Sequence, residues 1–297
     1  MAGTACVIGL GAMGWGAAAS LLRAGIALRG VDLREEVLDR LTAAGGTAAR
    51  SPEEGARGAD ALFVFVVNAD QTEAVLFGPD GAASALTPGA VVLLCATMSP
   101  ARTEAIAGRL SGMGLLPLDA PVSGGAARAE RGEMTVMASG APDAFARADP
   151  FLKAVATKVY RLGDAPGAGS RVKMVNQLLA GVHIAAAAEA MALGARAGID
   201  PVVLYEVITN SAGASWMFGD RVPRMMESDP APRSAVAIFV KDLGIVREAA
   251  AALGAEAPMA EAALARFRQA AGAGLGGADD SAVVRTYPGG EAVARKG

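Results

Sequence analysis

The feature that most constrains this chain lies near its start. Gly9-Leu10-Gly11-Ala12-Met13-Gly14 follows an apolar run, Ala5 to Ile8, and opens an Ala/Leu-rich stretch. A G-x-G-x-x-G pattern alone says little, but set between a strand and a helix it fits a phosphate-binding turn. Gly9 would make the tight turn, Gly11 would let the backbone approach a pyrophosphate, and Gly14 would let helix and strand pack closely. The helix that begins there offers free N–H groups around Leu10, Ala12 and Met13, and a positive dipole end. The competing reading is a glycine-rich turn with no ligand. Asp32 weighs against it: it closes a second strand (Ala27 to Val31) about 20 residues on, where an acid holds the adenosine ribose hydroxyls of NAD. A carboxylate there repels the extra phosphate of NADP, whereas Arg34 could pair with that phosphate. The expectation is NAD, with NADP less favoured.

The same alternation continues. Residues 35–44 read as helix, and Ser51-Pro52-Glu53-Glu54 opens another with a capping serine and proline at the first position. Residues 61–67 and 90–95 are continuous apolar strands, as in a parallel sheet covered on both faces. They end in Asn68 and Thr97, at the carboxyl ends of strands where open α/β sheets bind ligands. Each could face the nicotinamide half of a dinucleotide or simply cap the following helix. Residues 115–122 read as a further strand running into Ser123-Gly124-Gly125. That turn is either a small anion cradle, suited to a carboxylate, or an ordinary glycine-rich bend. Residues 135–139 and 158–162 look like closing strands around a helix over 143–156. The turn-rich segment 163–167 marks a domain boundary. The expected fold is an α/β Rossmann dinucleotide-binding domain over 1–165, then an all-α domain over 166–297 entered through one long linking helix.

That helix spans 167–198, about eight turns at 3.6 residues per turn. It lacks proline and is apolar almost all round, which predicts burial rather than a surface position. Lys173, Asn176 and Gln177 share one face near its start. Lys173 either snorkels to water or serves a site. Residues 201–208, 215–226, 234–253 and 257–271 read as helices, with a last short one capped at Asp279-Asp280-Ser281. Lys241 sits in an apolar setting, AIFVKDLGIV, and either reaches a ligand or pairs with Asp242. Trp216 and Phe218 read as core. Residues 288–297 have no apolar periodicity and read as a disordered tail.

Composition excludes several classes. The net charge of −3 gives no basic field for nucleic acid. No run of 18 apolar residues suggests a membrane span, and the start lacks the charged and apolar regions of a signal peptide. Cys6 and Cys95 fall in strand-like runs and read as buried free thiols of a cytoplasmic protein. With one histidine, His183, and no Cys cluster, neither a Ser-His-Asp triad nor a metal site is expected.

Together the motifs at 9–14 (GLGAMG), 96–100 (ATMSP), 119–125 (DAPVSGG), 167–177 (GAGSRVKMVNQ) and 239–244 (FVKDLG) resemble the β-hydroxyacid dehydrogenase family, the relatives of 3-hydroxyisobutyrate dehydrogenase. The resemblance runs from about residue 4 to 287. It implies that Lys173 is catalytic, that Ser123, Gly124 and Gly125 hold a substrate carboxylate, and that Thr97 and Lys241 contact the cofactor. Asn176 would orient the lysine and the substrate hydroxyl, with Gln177 as a further substrate contact. The stretches 66–78, 173–193, 208–223 and 279–283 are similar to the branch acting on L-threonate, which implies oxidation of a 2-hydroxy sugar acid. Polar groups at Asn210, Ser211, Ser215 and Asp280 would serve its hydroxyls. 3-Hydroxyisobutyrate and tartronate semialdehyde are the alternative substrates, and a non-catalytic dinucleotide-binding module is the rival from another class. Ala-rich helices further suggest a homo-oligomer.

Overall fold

The computed structural model describes residues 3–294 and divides into two compact units, the first running in sequence to Lys173 and the second from Met174. The first unit alternates strand and helix: β1 (Thr4–Ile8), α1 (Ala12–Arg23), β2 (Ala27–Val31), α2 (Glu35–Ala43), β3 (Thr47–Ala48), α3 (Pro52–Ala56), β4 (Ala61–Val64), α4 (Ala69–Phe77), β5 (Val91–Leu94), α5 (Pro100–Gly112) and β6 (Leu116–Asp119). Their strands form one sheet in the order β3-β2-β1-β4-β5-β6, parallel throughout. Side chains alternate strictly across it. Ala5, Val7, Phe63, Val91 and Leu93 enter one core, while Cys6, Ile8, Leu62, Val64, Val92 and Leu94 enter the other. Both faces are therefore covered, which is why these strands read as unbroken apolar runs. The strand order reverses direction between β1 and β4, so the loops after these two strands flank the switch point where such sheets bind ligands.

The strand expected over 115–122 is two strands. β6 stops at Asp119; after Ala120 and Pro121, β7 (Val122–Ser123) joins a separate sheet. Proline has no N–H to give a ladder, so a break there is physically natural. β7 pairs antiparallel with β8 (Met134–Ala138), and β8 pairs parallel with β9 (Ala156–Arg161). The short helix α6 (Gly125–Glu130) and α7 (Pro142–Val155) complete this part. The two strands expected to close the main sheet thus belong to a second one. A two-way backbone bridge joins the sheets: Asp119 N–H donates to Ser139 O (3.0 Å) and Ser139 N–H to Asp119 O (2.9 Å). The strand expected to reach Val67 ends at Val64.

α8 (Ala168–Arg196) starts in the first unit and continues in the second. In the second unit follow α9 (Pro201–Thr209), α10 (Trp216–Met225), α11 (Val236–Ala252) and α12 (Pro258–Ala270), then 3₁₀ segments Asp280–Thr286 and Gly290–Ala292. Ile184, Ala188, Met191, Phe218, Phe239, Leu243, Phe267 and Val283 lie in its core. A buried ionic cluster ties α10 to the chain after it. Arg221 holds Asp280 with two hydrogen bonds (2.8 and 3.0 Å), and Arg224 holds Asp279.

Three expectations change here. α8 is not buried all round: Ser170, Lys173, Gln177, Ile184 and Ala188 lie inside, but Val172, Val175, Leu179 and Leu193 are exposed. Its length and hydropathy alone would let it cross a membrane, yet a polar face including Lys173 and Gln177 is packed on protein. Phe218 is core, whereas Trp216 is 57% exposed. The tail expected to be disordered has structure through residue 294, with Val293 fully buried; residues 295–297 lie outside the described residues.

Candidate active site

The glycine motif occupies the turn from β1 into α1. Gly9 has φ +88°, which a residue with a Cβ rarely adopts, and its N–H donates to Val31 O at the end of β2 (2.9 Å). A Cβ on Gly14 would run into the carbonyl oxygen of Gly9, so helix and strand meet only because nothing is there. Gly11, the N-cap of α1, is different: a Cβ there would find no protein atom within 4 Å. Tight packing at Gly9 and Gly14 with open space at Gly11 is the cradle a pyrophosphate needs. The residues present therefore fit a dinucleotide.

Asp32 follows β2 and accepts from Leu10 N–H (2.8 Å), from Arg34 N–H (3.1 Å) and from the Arg34 guanidinium (2.9 and 3.1 Å). Burial pushes its pKa up, but the hydrogen bonds from Arg34 and Leu10 outweigh this and hold the carboxyl below its ordinary range. Asn68 is the N-cap of α4, its Oδ1 accepting from Gln71 N–H (2.8 Å), so its side chain serves the helix start. Thr97 is not a cap. That task falls to Ser99, whose Oγ accepts from Arg102 N–H, and Thr97 lies half-buried in the loop after β5.

Ser123 ends β7, and the next two residues bend sharply: Gly124 has φ +131° and Gly125 φ +72°. Only glycine follows this path easily, and it leaves the N–H groups unshielded. The stem of Arg128, one turn into α6, lies against Gly124 and brings a cation near the turn. The sequence alone gives Arg128 no signal, because its spacing from the turn only becomes meaningful once α6 forms.

Lys173 is 8% exposed, on the buried face of α8. The first turn of that helix rests on Asp119, a fully buried carboxylate that the sequence marked only as part of a motif. Its Oδ2 accepts from Gly167 N–H (2.9 Å), Ser170 N–H (2.8 Å) and Ser139 Oγ (3.2 Å), and its Oδ1 from Ser170 Oγ (2.8 Å).

In the second unit, Asp242 on α11 gathers two of the predicted residues. Gln177 Nε2 donates to Asp242 Oδ2 (2.5 Å), and Lys241 Nζ to Asp242 Oδ1 (2.5 Å). Asn176 Nδ2 donates to Gln177 Oε1 (3.0 Å). Asn176 itself is half-buried. The groups assigned to sugar hydroxyls are otherwise engaged. Ser215 caps α10, Asp280 is buried on Arg221, and Asn210 and Ser211 bond back to Glu206 O and Val207 O. Among the described residues, no three His, Cys, Asp or Glu side chains gather as a metal site would need.

Residues 4–163 match the family model described as the NAD binding domain of 6-phosphogluconate dehydrogenase, and residues 167–287 that described as NAD-binding of NADP-dependent 3-hydroxyisobutyrate dehydrogenase. The chain belongs to the 3-hydroxyisobutyrate dehydrogenase family. It is an NAD-dependent hydroxyacid dehydrogenase. It is 58% identical to L-threonate dehydrogenase of Cupriavidus necator, over 95% of each chain. It is 52% identical to L-threonate dehydrogenase of Escherichia coli strain K12, over 95% of this chain and 94% of that one. A crystal structure of 3-hydroxyisobutyrate dehydrogenase from Salmonella typhimurium superposes with a TM-score of 0.92 at 53% identity, covering 96% of this chain and 99% of that one.

Proposed function

We propose that this dehydrogenase oxidises L-threonate at C2 to the corresponding 2-oxo acid. The observation that carries the substrate is the 58% identity, spread over 95% of both chains, to a protein named for that reaction. The site residues support the chemistry. The Ser123 hydroxyl and the N–H groups of Gly124 and Gly125 anchor the acid's carboxylate and so fix its C2. Such positioning supplies several kcal/mol of a barrier. Lys173 takes the proton of the C2 hydroxyl. Bound NAD would supply the hydride acceptor; Gly9 to Gly14 would hold its phosphates and Asp32 its ribose, with Thr97 and Lys241 as further cofactor contacts, while the Asn68 side chain caps α4. Asn176, one turn beyond Lys173 on the same face, orients the hydroxyl. Gln177 is committed to Asp242, so we assign it to bracing α8 on α11 rather than to the substrate.

The second reading is 3-hydroxyisobutyrate, the acid in the name of the Salmonella typhimurium structure. The domains are proposed to divide at 165/166, with 166–297 serving substrate binding and assembly. Val175, Leu179, Leu193, Val203, Val207 and Trp216 expose apolar surface in the second unit, which supports a homo-oligomer. The unpaired thiols Cys6 and Cys95 suit the cytoplasm.

The test is NADH formation at 340 nm with a panel of L-threonate, 3-hydroxyisobutyrate and glycerate, the alcohol that tartronate semialdehyde gives on reduction. L-Threonate is expected to give the highest kcat/KM, and preference for 3-hydroxyisobutyrate overturns the substrate reading. Lys173→Ala is expected to lower kcat by at least about 100-fold with NAD binding preserved, the size of a lost acid–base group. A loss under about tenfold would remove Lys173 from the chemistry.

A further inference from the structure

Asp119 is a buried titratable group that the proposed chemistry does not use. Its exposure is 0%, and burial drives its pKa upward against the hydrogen bonds it accepts. A carboxylate so placed costs folding energy unless its charge is matched by donors, and here it has four. Two segments far from β6 in sequence supply them: the chain just after β8, at Ser139, and the start of α8. Ser139 Oγ also accepts from Gly169 N–H (3.0 Å), so amides of the first helical turn end on this joint. No bulk separates them, since a Cβ on Gly169 would strike the Met137 carbonyl. Thr103 on α5 adds a hydroxyl contact to Ser170 (2.9 Å).

Two facts tie this joint to the site. Side chains in a helix lean toward its N-terminus, so the Lys173 stem is directed back over the turn that contains Ser170. Lys173 stands one turn beyond Ser170, about 4.5 Å along the axis at 1.5 Å per residue. The backbone of Asp119 meanwhile pins the strand end that leads, four residues later, into Ser123-Gly124-Gly125. One residue therefore holds the helix bearing the lysine with its side chain, and the chain entering the carboxylate-anchoring turn with its main chain.

We propose that Asp119 is a positioning residue for the dehydrogenase reaction, setting the place of Lys173 relative to the Ser123–Gly125 turn. The inference rests on the reading of Lys173 as the proton acceptor. The variants are Asp119→Asn, which keeps the shape and loses the charge and one acceptor, and Ser170→Ala, which removes only a hydroxyl and keeps the test alive if Asp119→Asn misfolds. Each is assayed with L-threonate, or with 3-hydroxyisobutyrate if that is the acid the wild-type chain oxidises, alone and in a Lys173→Ala background. NADH affinity is read by fluorescence titration.

A misplacement near 1 Å costs roughly 100-fold in rate. Asp119→Asn is expected to lower kcat roughly 10- to 100-fold and Ser170→Ala several-fold, with NADH affinity within about twofold of wild type. On top of Lys173→Ala, Asp119→Asn should cost less than about twofold more, because residues acting as a unit are not additive. Turnover within about twofold of wild type in both single variants overturns the proposal. So does an equal loss with and without Lys173, which would mark Asp119 as purely structural. If Lys173→Ala keeps more than about a tenth of wild-type turnover, the lysine reading fails and takes this one with it. An inactive Lys173→Ala beside a normal Asp119→Asn overturns this proposal alone.

Discussion

Asp32 meets the cofactor already occupied. One edge of the Arg34 guanidinium, Nε and Nη2, donates to both oxygens of its carboxylate, and Leu10 N–H donates to Oδ2 as well. Arg34 is half exposed and can swing aside, so ribose hydroxyls compete with a solvated partner and not with a locked one. Hydrogen bonds to a charged acceptor are worth about 1.5–3 kcal/mol, or roughly 10- to 100-fold in affinity. Asp32→Ala is therefore expected to raise the KM for NAD by at least about tenfold and to narrow the preference for NAD over NADP, since Arg34 would then face an added phosphate unopposed. Steady-state kinetics with both cofactors measures this, and an unchanged NAD:NADP ratio would count against a selecting role. At this scale the sequence was informative where a residue's task is local. Asp32 follows a fixed spacing from the glycine turn, and Asn68 caps the residues beside it. It was silent where the partners are remote. Asp119 accepts from groups 48 and 51 residues away, and no spacing rule connects them. For Asn210, Ser211, Ser215 and Asp280 polarity suggested substrate hydroxyls, but short-range bonds and a buried arginine claim them.

The glycine turn between β1 and α1 separates two jobs that one motif performs. Gly14 is required by the protein itself, because its absent side chain lets α1 lie on the Gly9 carbonyl. Gly11 has open space and an ordinary negative φ of −66°, so the protein tolerates a methyl group there. Gly14→Ala is expected to lower the melting temperature by several degrees, in line with an overpacking cost of about 1–3 kcal/mol. Gly11→Ala should leave the melting temperature nearly unchanged, yet weaken NAD binding at least about tenfold by placing a methyl where the pyrophosphate sits. Differential scanning fluorimetry with and without NAD reads both; equal behaviour of the two variants would contradict this division. Elements with a strong period, such as α8 and the apolar strands, were legible because burial on two faces or long Ala/Leu runs leave few alternatives. The break after β6 was hidden by an unbroken apolar run, although Pro121 was the available signal. The exposed flank of α8 was equally hidden, since apolar composition does not say which faces find partners.

Across the whole molecule, both thiols are sealed in the first unit. Cys6 has no exposed surface and Cys95 is 6% exposed. Burial pushes the Cys6 thiol up to about 12, and raises Cys95 as well. A thiol whose folded pKa is raised carries no thiolate at pH 8, and thiolate is the reactive form. Native protein is expected to show almost no reaction with a disulfide reagent such as DTNB at pH 8, and two equivalents in denaturant. Rapid native reaction would contradict the packing of β1 and β5. The order of strands and helices, and the change to helices alone after residue 167, were readable from alternation. The separate second sheet was not, because β7 contributes only two residues and its pairing with β8 is non-local. The joint beneath α8 also bears on the order in which this chain can be built. The longest helix in the protein does not hold its own beginning: its first amides are bound by a side chain that emerges from a β-strand some 50 residues earlier. Closing such a loop carries an entropy cost that only a formed strand end can offset. Synthesis runs in the favourable direction, since β6 and β8 leave the ribosome before α8 does. The start of α8 is thus the last part of the first unit to be synthesised, and injury to the β6–β8 junction is expected to show first as fraying at residues 167–170.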